Sequence, residues 1–145
     1  MAGRAILIRE FHYPQDYEQS ARLWQSMDKG VRFSRSDLPE ELEKKVPRDP
    51  ELFLVAEENG RVIGTVIGGF DGRRGMVYHL AVAASHRRAG IAERLMNELE
   101  KRLVAKGCIR CYLLVHADNA KARALYEKVN WILMSDLVSY AKDLA

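Results

Sequence analysis

The strand–turn–helix pattern of residues 77–103 constrains the fold of this chain more than any other segment. Residues 77–82 are mostly apolar and predict a strand, and the apolar side chains after Gly90 recur at helical spacing. Arg87 and Arg88 lie in the turn between them. The first N–H groups of a helix lack internal partners, and the helix dipole is positive there. The pattern therefore predicts a site for a phosphate-bearing ligand that is bound mainly by backbone.

Length and composition predict one folded domain over residues 1–145. The chain is 48% hydrophobic and 30% charged, which excludes disordered and collagen-like classes. It contains no apolar run near the ~20 residues of a membrane span, and residues 1–4 do not begin an apolar leader. We therefore expect a cytoplasmic protein with no membrane partner. The net charge of +3 is too small to indicate a nucleic-acid partner.

Hydrophobic periodicity and turn signals predict the mixed order β-α-α-β-β-β-α-β-α-β. Asn59-Gly60 is typical of a hairpin turn, and Gly107 is typical of a helix end. The predicted strands are 5–9, 52–57, 61–70, 76–83 and 109–115, with one or two closing strands at 132–134 and 137–140. The predicted helices are 14–27, 40–45, 91–106 and one after Asn119.

Two motifs carry a family resemblance. Arg87-x-x-Gly90-x-Ala92 follows the triplet Leu80-Ala81-Val82, and Asp118–Lys128 contains a helix motif with Asn119 and Tyr126. Both resemble motifs of the GCN5-related N-acetyltransferase (GNAT) superfamily, in the same order. Segment 53–64 resembles the central hairpin of the superfamily, and segment 64–75 is similar to the small bacterial YpeA-like acetyltransferases.

The resemblance implies an α/β fold: a single GNAT-like domain with a mixed central sheet, a splayed parallel strand pair and flanking helices. It implies an acetyl-CoA-dependent N-acetyltransferase that moves the acetyl group directly to a primary amine, without a metal. The acceptor could be a small metabolite amine, an amino acid, a peptide N-terminus or a lysine. The cofactor-binding residues that it implies are Leu80, Ala81, Val82, Arg87, Arg88, Ala89, Gly90, Ile91, Ala92 and Asn119.

The resemblance also implies that Tyr126 is the general acid that protonates the departing CoA thiolate. A phenol is protonated at neutral pH, with a pKa near ~10, so it can donate. The alternative is that Tyr126 only packs in the core. For Asn119 the alternative is a helix cap, and both roles are compatible.

The general base is less well defined by the sequence. Some family members carry a glutamate where this chain has Met76 or Leu114. We take His79 as the candidate, because histidine titrates near neutrality. The alternatives are a structural role for His79 and a base that is His116, Glu57, Asp37 or water.

Two other functions stay open: acetylation of an aminoacyl-tRNA, and a CoA-binding regulatory or interaction module with little catalysis. A homodimer through residues 137–140 is also compatible with the sequence. Cys108 and Cys111 are expected to be structural thiols, because a zinc site would need further ligands. Arg73 and Arg74 lie in a predicted turn and are expected to be solvated surface charges.

Overall fold

A computed structural model describes residues 5–27 and 31–145; residues 1–4, on which the leader expectation rests, lie outside them. The described residues form a five-stranded sheet in the order β1-β2-β3-β4-β5. The strands are β1 (Ile6–Glu10), β2 (Phe53–Glu58), β3 (Arg61–Phe70), β4 (Gly75–Val82) and β5 (Cys111–Leu113). The helices are α1 (Tyr17–Gln25), α2 (Pro39–Lys45), α3 (Ile91–Ala105) and α4 (Ala120–Lys128). None of the described helices is long and apolar enough to cross a membrane.

Tight turns connect the antiparallel strands β2, β3 and β4. Asn59 and Gly60 both adopt positive φ, 51° and 79°, as the predicted hairpin turn requires. In the next turn, the Asp71 carboxylate accepts the amides of Arg73 and Arg74, each at 2.7 Å. These turns fix the register of the strand that carries the candidate site.

Each face of the sheet has its own hydrophobic core. Leu95, Met96 and Leu99 of α3 are completely buried against one face. A Cβ on Gly68 would lie 2.6 Å from Leu99 Cδ1, so a glycine is needed for α3 to approach the sheet this closely. Trp24 of α1 fills the core on the opposite face.

The parallel pair β4–β5 confirms the predicted fold class. Because α3 connects them, the two strands run in the same direction, as a helical crossover requires. They pair only over residues 75–77 and 111–113, whereas β4 continues to Val82. Beyond Val77, β4 therefore has no β5 partner, and the strands separate where the resemblance implies a splay.

The prediction of closing strands at 132–134 and 137–140 is wrong, and the strand at 109–115 is shorter than predicted. Neither closing segment is in a strand, and Ile132, Val138 and Tyr140 are more than 80% exposed. β5 ends at Leu113 and offers an edge of only three residues. The apolar residues of the closing segments favour a strand only if a neighbouring strand is there to pair with it. The first helix also begins later than predicted, at Tyr17 rather than Pro14, because residues 13–16 form a turn.

Candidate active site

A bulge in β4 shapes the candidate site. Thr65 pairs with Ala81 and Ile67 pairs with Tyr78, so two residues of β4 oppose one residue of β3. His79 lies at this bulge with φ of 52°, a left-handed conformation that is uncommon for a residue other than glycine. Bulges redirect side chains and interrupt strand pairing. Here the bulge lies immediately beyond the last β4–β5 pair.

A chain of hydrogen bonds holds the bulge in place. Trp24 Nε1 donates to Thr65 Oγ1 at 2.8 Å, and that hydroxyl donates to the His79 carbonyl at 2.9 Å. Trp24 and Thr65 are completely buried. The Trp24 and His79 rings also meet edge to face, with their centroids 4.8 Å apart. Because buried polar groups are costly when unpaired, these two hydrogen bonds stabilise the left-handed backbone conformation of His79.

Asp37 orients the His79 imidazole. His79 Nε2 lies 2.7 Å from Asp37 Oδ1, and Asp37 is 4% exposed. Asp37 Oδ2 accepts the Ser34 amide at 2.9 Å, so the carboxylate is itself held. When the carboxylate is the acceptor of this contact, Nε2 is the donor, and Nδ1 is the ring nitrogen left for another partner. A carboxylate that fixes the tautomer in this way is typical of a histidine that moves protons.

A cavity of about 830 Å³ opens on this face of the molecule. Asp37 and His79 line one part of it, Met76 and Tyr78 of β4 line its wall, and Arg74 and Tyr112 line another part. A polar pair beside an open cavity can reach a bound small molecule. The cavity is therefore the candidate acceptor site.

The predicted phosphate site lies at the start of α3. Gly90 is the N-cap residue with φ of 75°, and no described side chain caps the helix. A Cβ on Gly90 would meet no atom within 4 Å, so the space in front of the helix is open. Arg87 and Arg88 are exposed, and neither forms an ion pair within the described part of the chain. Open backbone donors beside unpaired arginines fit a diphosphate.

The other residues of the implied cofactor site lie beside Gly90 in the chain, in β4 and at the start of α4. Ala89 is exposed, Ile91 is buried, and Ala92 is half-buried in the first turn of α3. Leu80, Ala81 and Val82 lie in the part of β4 that β5 leaves unpaired. Asn119 caps α4, because its Oδ1 accepts the Ala122 amide at 3.2 Å. The capping role is thus present in the structure.

Tyr126 lies on the opposite side of the sheet from His79. Its ring packs against the core beneath α3, together with Leu80 and Val82, and its centroid is 6.4 Å from that of Trp131. Burial raises the pKa of the phenol. No hydrogen bond to its hydroxyl is found among the described residues. The structure therefore does not bring Tyr126 into contact with His79; the unpaired part of β4 lies between them.

The alternative bases lie elsewhere or act differently. His116 is exposed between β5 and α4. Glu57 accepts from Arg9 Nε at 2.7 Å, away from the cavity. Asp37 contacts His79 and is better suited to orient it than to act alone. Of the sequence candidates, only His79 and Asp37 come together at the cavity.

Sequence reasoning missed two features of the site. The Trp24–Thr65 bond carries no local signal, because the two residues are 41 positions apart and polar contacts at that distance are set by the fold. Arg74 was expected to be a solvated charge, and this is wrong. Its Nη1 donates to Tyr112 Oη and it lines the cavity, whereas Arg73 is exposed as predicted.

Comparison with protein families gives a match over most of the chain. The model of the acetyltransferase (GNAT) family matches residues 18–131. Acetyltransferase SG1711 of Sodalis glossinidius is 38% identical over 137 residues, which cover 94% of each chain.

Solved structures share the fold. Ard1 from Thermoplasma volcanium superposes with a TM-score of 0.79 at 24% identity, over 90% of this chain and 85% of that one. An aminoglycoside N-acetyltransferase, AAC(6')-Iy in complex with CoA, gives a TM-score of 0.72 at 16% identity, with 97% of each chain covered. At these identities the likeness concerns the fold alone.

The buried hydroxyl of Thr65 provides a test of how the bulge is held. Thr65→Val keeps the shape but leaves the Trp24 indole N–H without an acceptor, so we expect a loss of about 1–3 kcal/mol in the free energy of unfolding. Urea unfolding measures that loss. The Trp24 indole N–H resonance should move, while that of Trp131, which donates to Glu100 at 3.1 Å, serves as the internal reference.

Thr65→Ser is the matched control, because it keeps the hydroxyl and loses one methyl group, which costs about 0.8 kcal/mol. The Trp24 resonance should stay in place in this variant. Wild-type stability together with an unmoved Trp24 resonance in Thr65→Val would contradict the proposed support of the bulge.

Proposed function

This chain belongs to the acetyltransferase (GNAT) family and is an N-acetyltransferase, and from that premise we propose that it transfers acetyl from acetyl-CoA directly to a primary amine. The observation that carries the proposal is the bulge in β4. The oriented His79 imidazole lies at this bulge, beside the acceptor cavity. The part of β4 that follows has no β5 partner and leads to the open start of α3. That the domain spans all of residues 1–145 stays a prediction, as does its location in the cytoplasm.

Acetyl-CoA fits the groups present. The amides at the start of α3, from Gly90 to Ala92, and the side chains of Arg87 and Arg88 would bind its diphosphate. The edge of residues 80–82 that β5 leaves unpaired would bind the amides of its pantetheine arm, as an added strand does. Asn119 would contact the same arm through the part of its amide that the helix cap does not use. When bound, the cofactor supplies an activated thioester.

Gly90→Glu tests the cofactor site directly. A carboxylate at the start of α3 would repel the diphosphate, and like charges a few ångströms apart near a protein surface repel by a few kcal/mol. We therefore expect acetyl-CoA affinity to fall about tenfold or more. Isothermal titration calorimetry on both proteins measures the change.

Gly107→Glu is the matched control for this variant. Gly107 also has positive φ, 93°, and open space around its Cβ position, so backbone strain and added charge are comparable. It follows the other end of α3, a helix of 15 residues, or roughly 22 Å away. Equal affinities of the two variants, or no binding to the wild type, would exclude this cofactor site.

His79 is the proposed base. A primary amine is protonated at neutral pH and must lose a proton before it attacks the thioester. Nδ1 of His79 can take that proton, directly or through one water, while Asp37 holds Nε2 and stabilises the imidazolium that forms. The edge contact with Trp24 keeps the ring in this orientation.

His79→Asn should lower kcat by about 10²–10⁴, the usual contribution of a general base. Asparagine tolerates the left-handed conformation at φ of 52°, so the bulge should survive the change. Steady-state rates of CoA thiol release measure the effect. His116→Asn changes an exposed histidine and should leave kcat unaltered. If His116→Asn lowered kcat and His79→Asn did not, His116 would be the general base instead of His79.

Tyr126 is the proposed acid. Tyr126 packs on the α3 side of the sheet, across β4 from the cavity, and from there its hydroxyl would donate a proton to the thiolate that leaves when the amine takes the acetyl group. Burial keeps the phenol protonated to a higher pH than usual, so it can donate to a thiolate under all physiological conditions.

Tyr126→Phe should lower kcat by about 10²–10⁴ while acetyl-CoA affinity stays within about twofold, because only the transition state gains from the proton. Tyr140→Phe, at a side chain that is 93% exposed, is the control and should change neither. The wild-type rate should show no loss from phenol ionisation below about pH 10, since the pKa of Tyr126 is raised. An unaltered kcat in Tyr126→Phe would limit this residue to packing.

The exposed apolar side chains after Trp131 support one further proposal, a homodimer. Ile132, Val138 and Leu144 are each more than 80% exposed, and β5 leaves an open sheet edge nearby. No observation favours a tRNA-directed enzyme or a module without catalysis over transfer to a small or peptide amine.

A further inference from the structure

Two arginines converge on one tyrosine beside the acceptor cavity. Arg110 Nε donates to Tyr112 Oη at 3.1 Å, and Arg74 Nη1 donates to the same oxygen. Both guanidinium carbons also lie near the Tyr112 ring, at 5.4 Å and 5.5 Å from its centroid. Arg74, Arg110 and Tyr112 are called the arginine–tyrosine cluster below.

The charge of this cluster is not neutralised within the described residues. Neither guanidinium has a carboxylate partner there, in contrast to Arg9, which pairs with both Asp16 and Glu57. The nearby Asp71 accepts the backbone amides of the β3–β4 turn instead. Two like charges that share a single neutral acceptor repel each other. An anion between them would remove that repulsion and accept the remaining guanidinium donors.

Two members of the cluster, Arg74 and Tyr112, line the same cavity as the proposed base, and Arg110 contacts Tyr112 from outside it. Tyr112 of β5 pairs in register with Met76 of β4, and Arg74 immediately precedes β4. Arg74, Tyr112, Asp37 and His79 all line the cavity. Five positions separate Arg74 from His79, which corresponds to at most about 16 Å of backbone, and the bulge shortens that distance. The two side chains are therefore separate contact points in the cavity, whose lining also includes Lys45, Arg48 and Asp49.

We propose that the arginine–tyrosine cluster binds an anionic group of the amine acceptor, a carboxylate or a phosphate, while the amine lies at His79. The inference rests on the proposed function, because it names the acceptor class for that same site. Planar guanidinium groups bind carboxylate and phosphate oxygens in pairs, and the Tyr112 hydroxyl adds a further donor. Because the arginine side chain itself spans part of the separation along β4, the acceptor that fits carries its amine and its anionic group several bonds apart, unlike a free α-amino acid, which carries both on one carbon.

Anion binding is tested first, without catalysis. Inorganic phosphate and acetate are titrated separately into the CoA-saturated protein, and the arginine Nε–Hε NMR signals are followed. We expect the signals of Arg74 and Arg110 to shift with a millimolar midpoint, and the tighter of the two anions identifies the type of group. Arg74→Gln should weaken binding about tenfold or more, as loss of a charged hydrogen bond does. Arg73→Gln, an exposed neighbour in the same turn, should bind as the wild type does. Unmoved Arg74 and Arg110 signals with both anions would overturn the inference.

Acceptor preference is tested second, with matched pairs. 6-Aminohexanoate is compared with its amide, and glucosamine 6-phosphate is compared with glucosamine, by the rate of CoA thiol release. In the wild type we expect kcat/KM at least tenfold higher for the charged member of one pair. Arg74→Gln should reduce that ratio to below twofold, and Arg73→Gln should preserve it.

The two tests separate this inference from the proposed function. Equal acetylation rates for the anionic acceptor and for its counterpart without the anionic group, in both pairs, would overturn the inferred anionic acceptor. The acetyltransferase mechanism would be left intact. Absence of acetyl-CoA binding would overturn the mechanism. In that case the phosphate and acetate titrations are run on the free protein and still decide the anion site, since the Arg74 and Arg110 signals report on that site and not on the start of α3.

Discussion

The bulge at His79 is the constraint on which the rest of the site depends. One extra residue in β4 redirects the His79 side chain toward Asp37 and lies where pairing with β5 ends. Without it, β4 would continue as a regular strand, whose side chains alternate strictly between faces and whose edge could remain paired. The Thr65 hydroxyl, donating to the bulged carbonyl and accepting from Trp24, ties this local irregularity to the core beneath α1. The Thr65 hydroxyl oxygen thus links the packing of Trp24 to the backbone conformation of His79, the proposed base.

The distribution of charge separates arginines that stabilise the fold from those available to ligands. Arg9 forms ion pairs with Asp16 and Glu57. Burial alone would raise the pKa of Asp16, but the hydrogen bonds from Arg9 and from the His12 amide outweigh it and lower that pKa. Arg9 is therefore a structural cation. Arg88 at the start of α3 and Arg74 at the cavity have no such carboxylates among the described residues, and both adjoin open space. Their unpaired charge is the physical basis of the two proposed anion sites.

Most elements were predictable, and the exceptions share one cause. Strand β3 and the start of α3 were predicted to the residue, because a clear hairpin turn and a glycine before a regular apolar stripe are local signals. The closing strands at 132–134 and 137–140 were predicted wrongly, although their apolar residues are common in strands. A strand needs a partner edge, and whether β5 is long enough to provide one depends on how far it follows β4 before the bulge. Arg74 was misjudged for the same reason, since its partner Tyr112 is 38 positions away.

The sequence by itself determined the order of elements, the basic turn before α3 and the family to which the chain belongs, because each is encoded in residues close together along the chain. It also provided His79 and Asp37 as separate candidates among several. Only the tertiary structure decided that these two side chains meet, 2.7 Å apart and separated by 42 positions. The packing of Trp24 against the sheet brings them together, and buried hydrogen bonds stabilise a backbone conformation that His79 would rarely adopt alone. Local preferences act over a few residues, whereas a site like this one is assembled by contacts that exist only after the chain has folded.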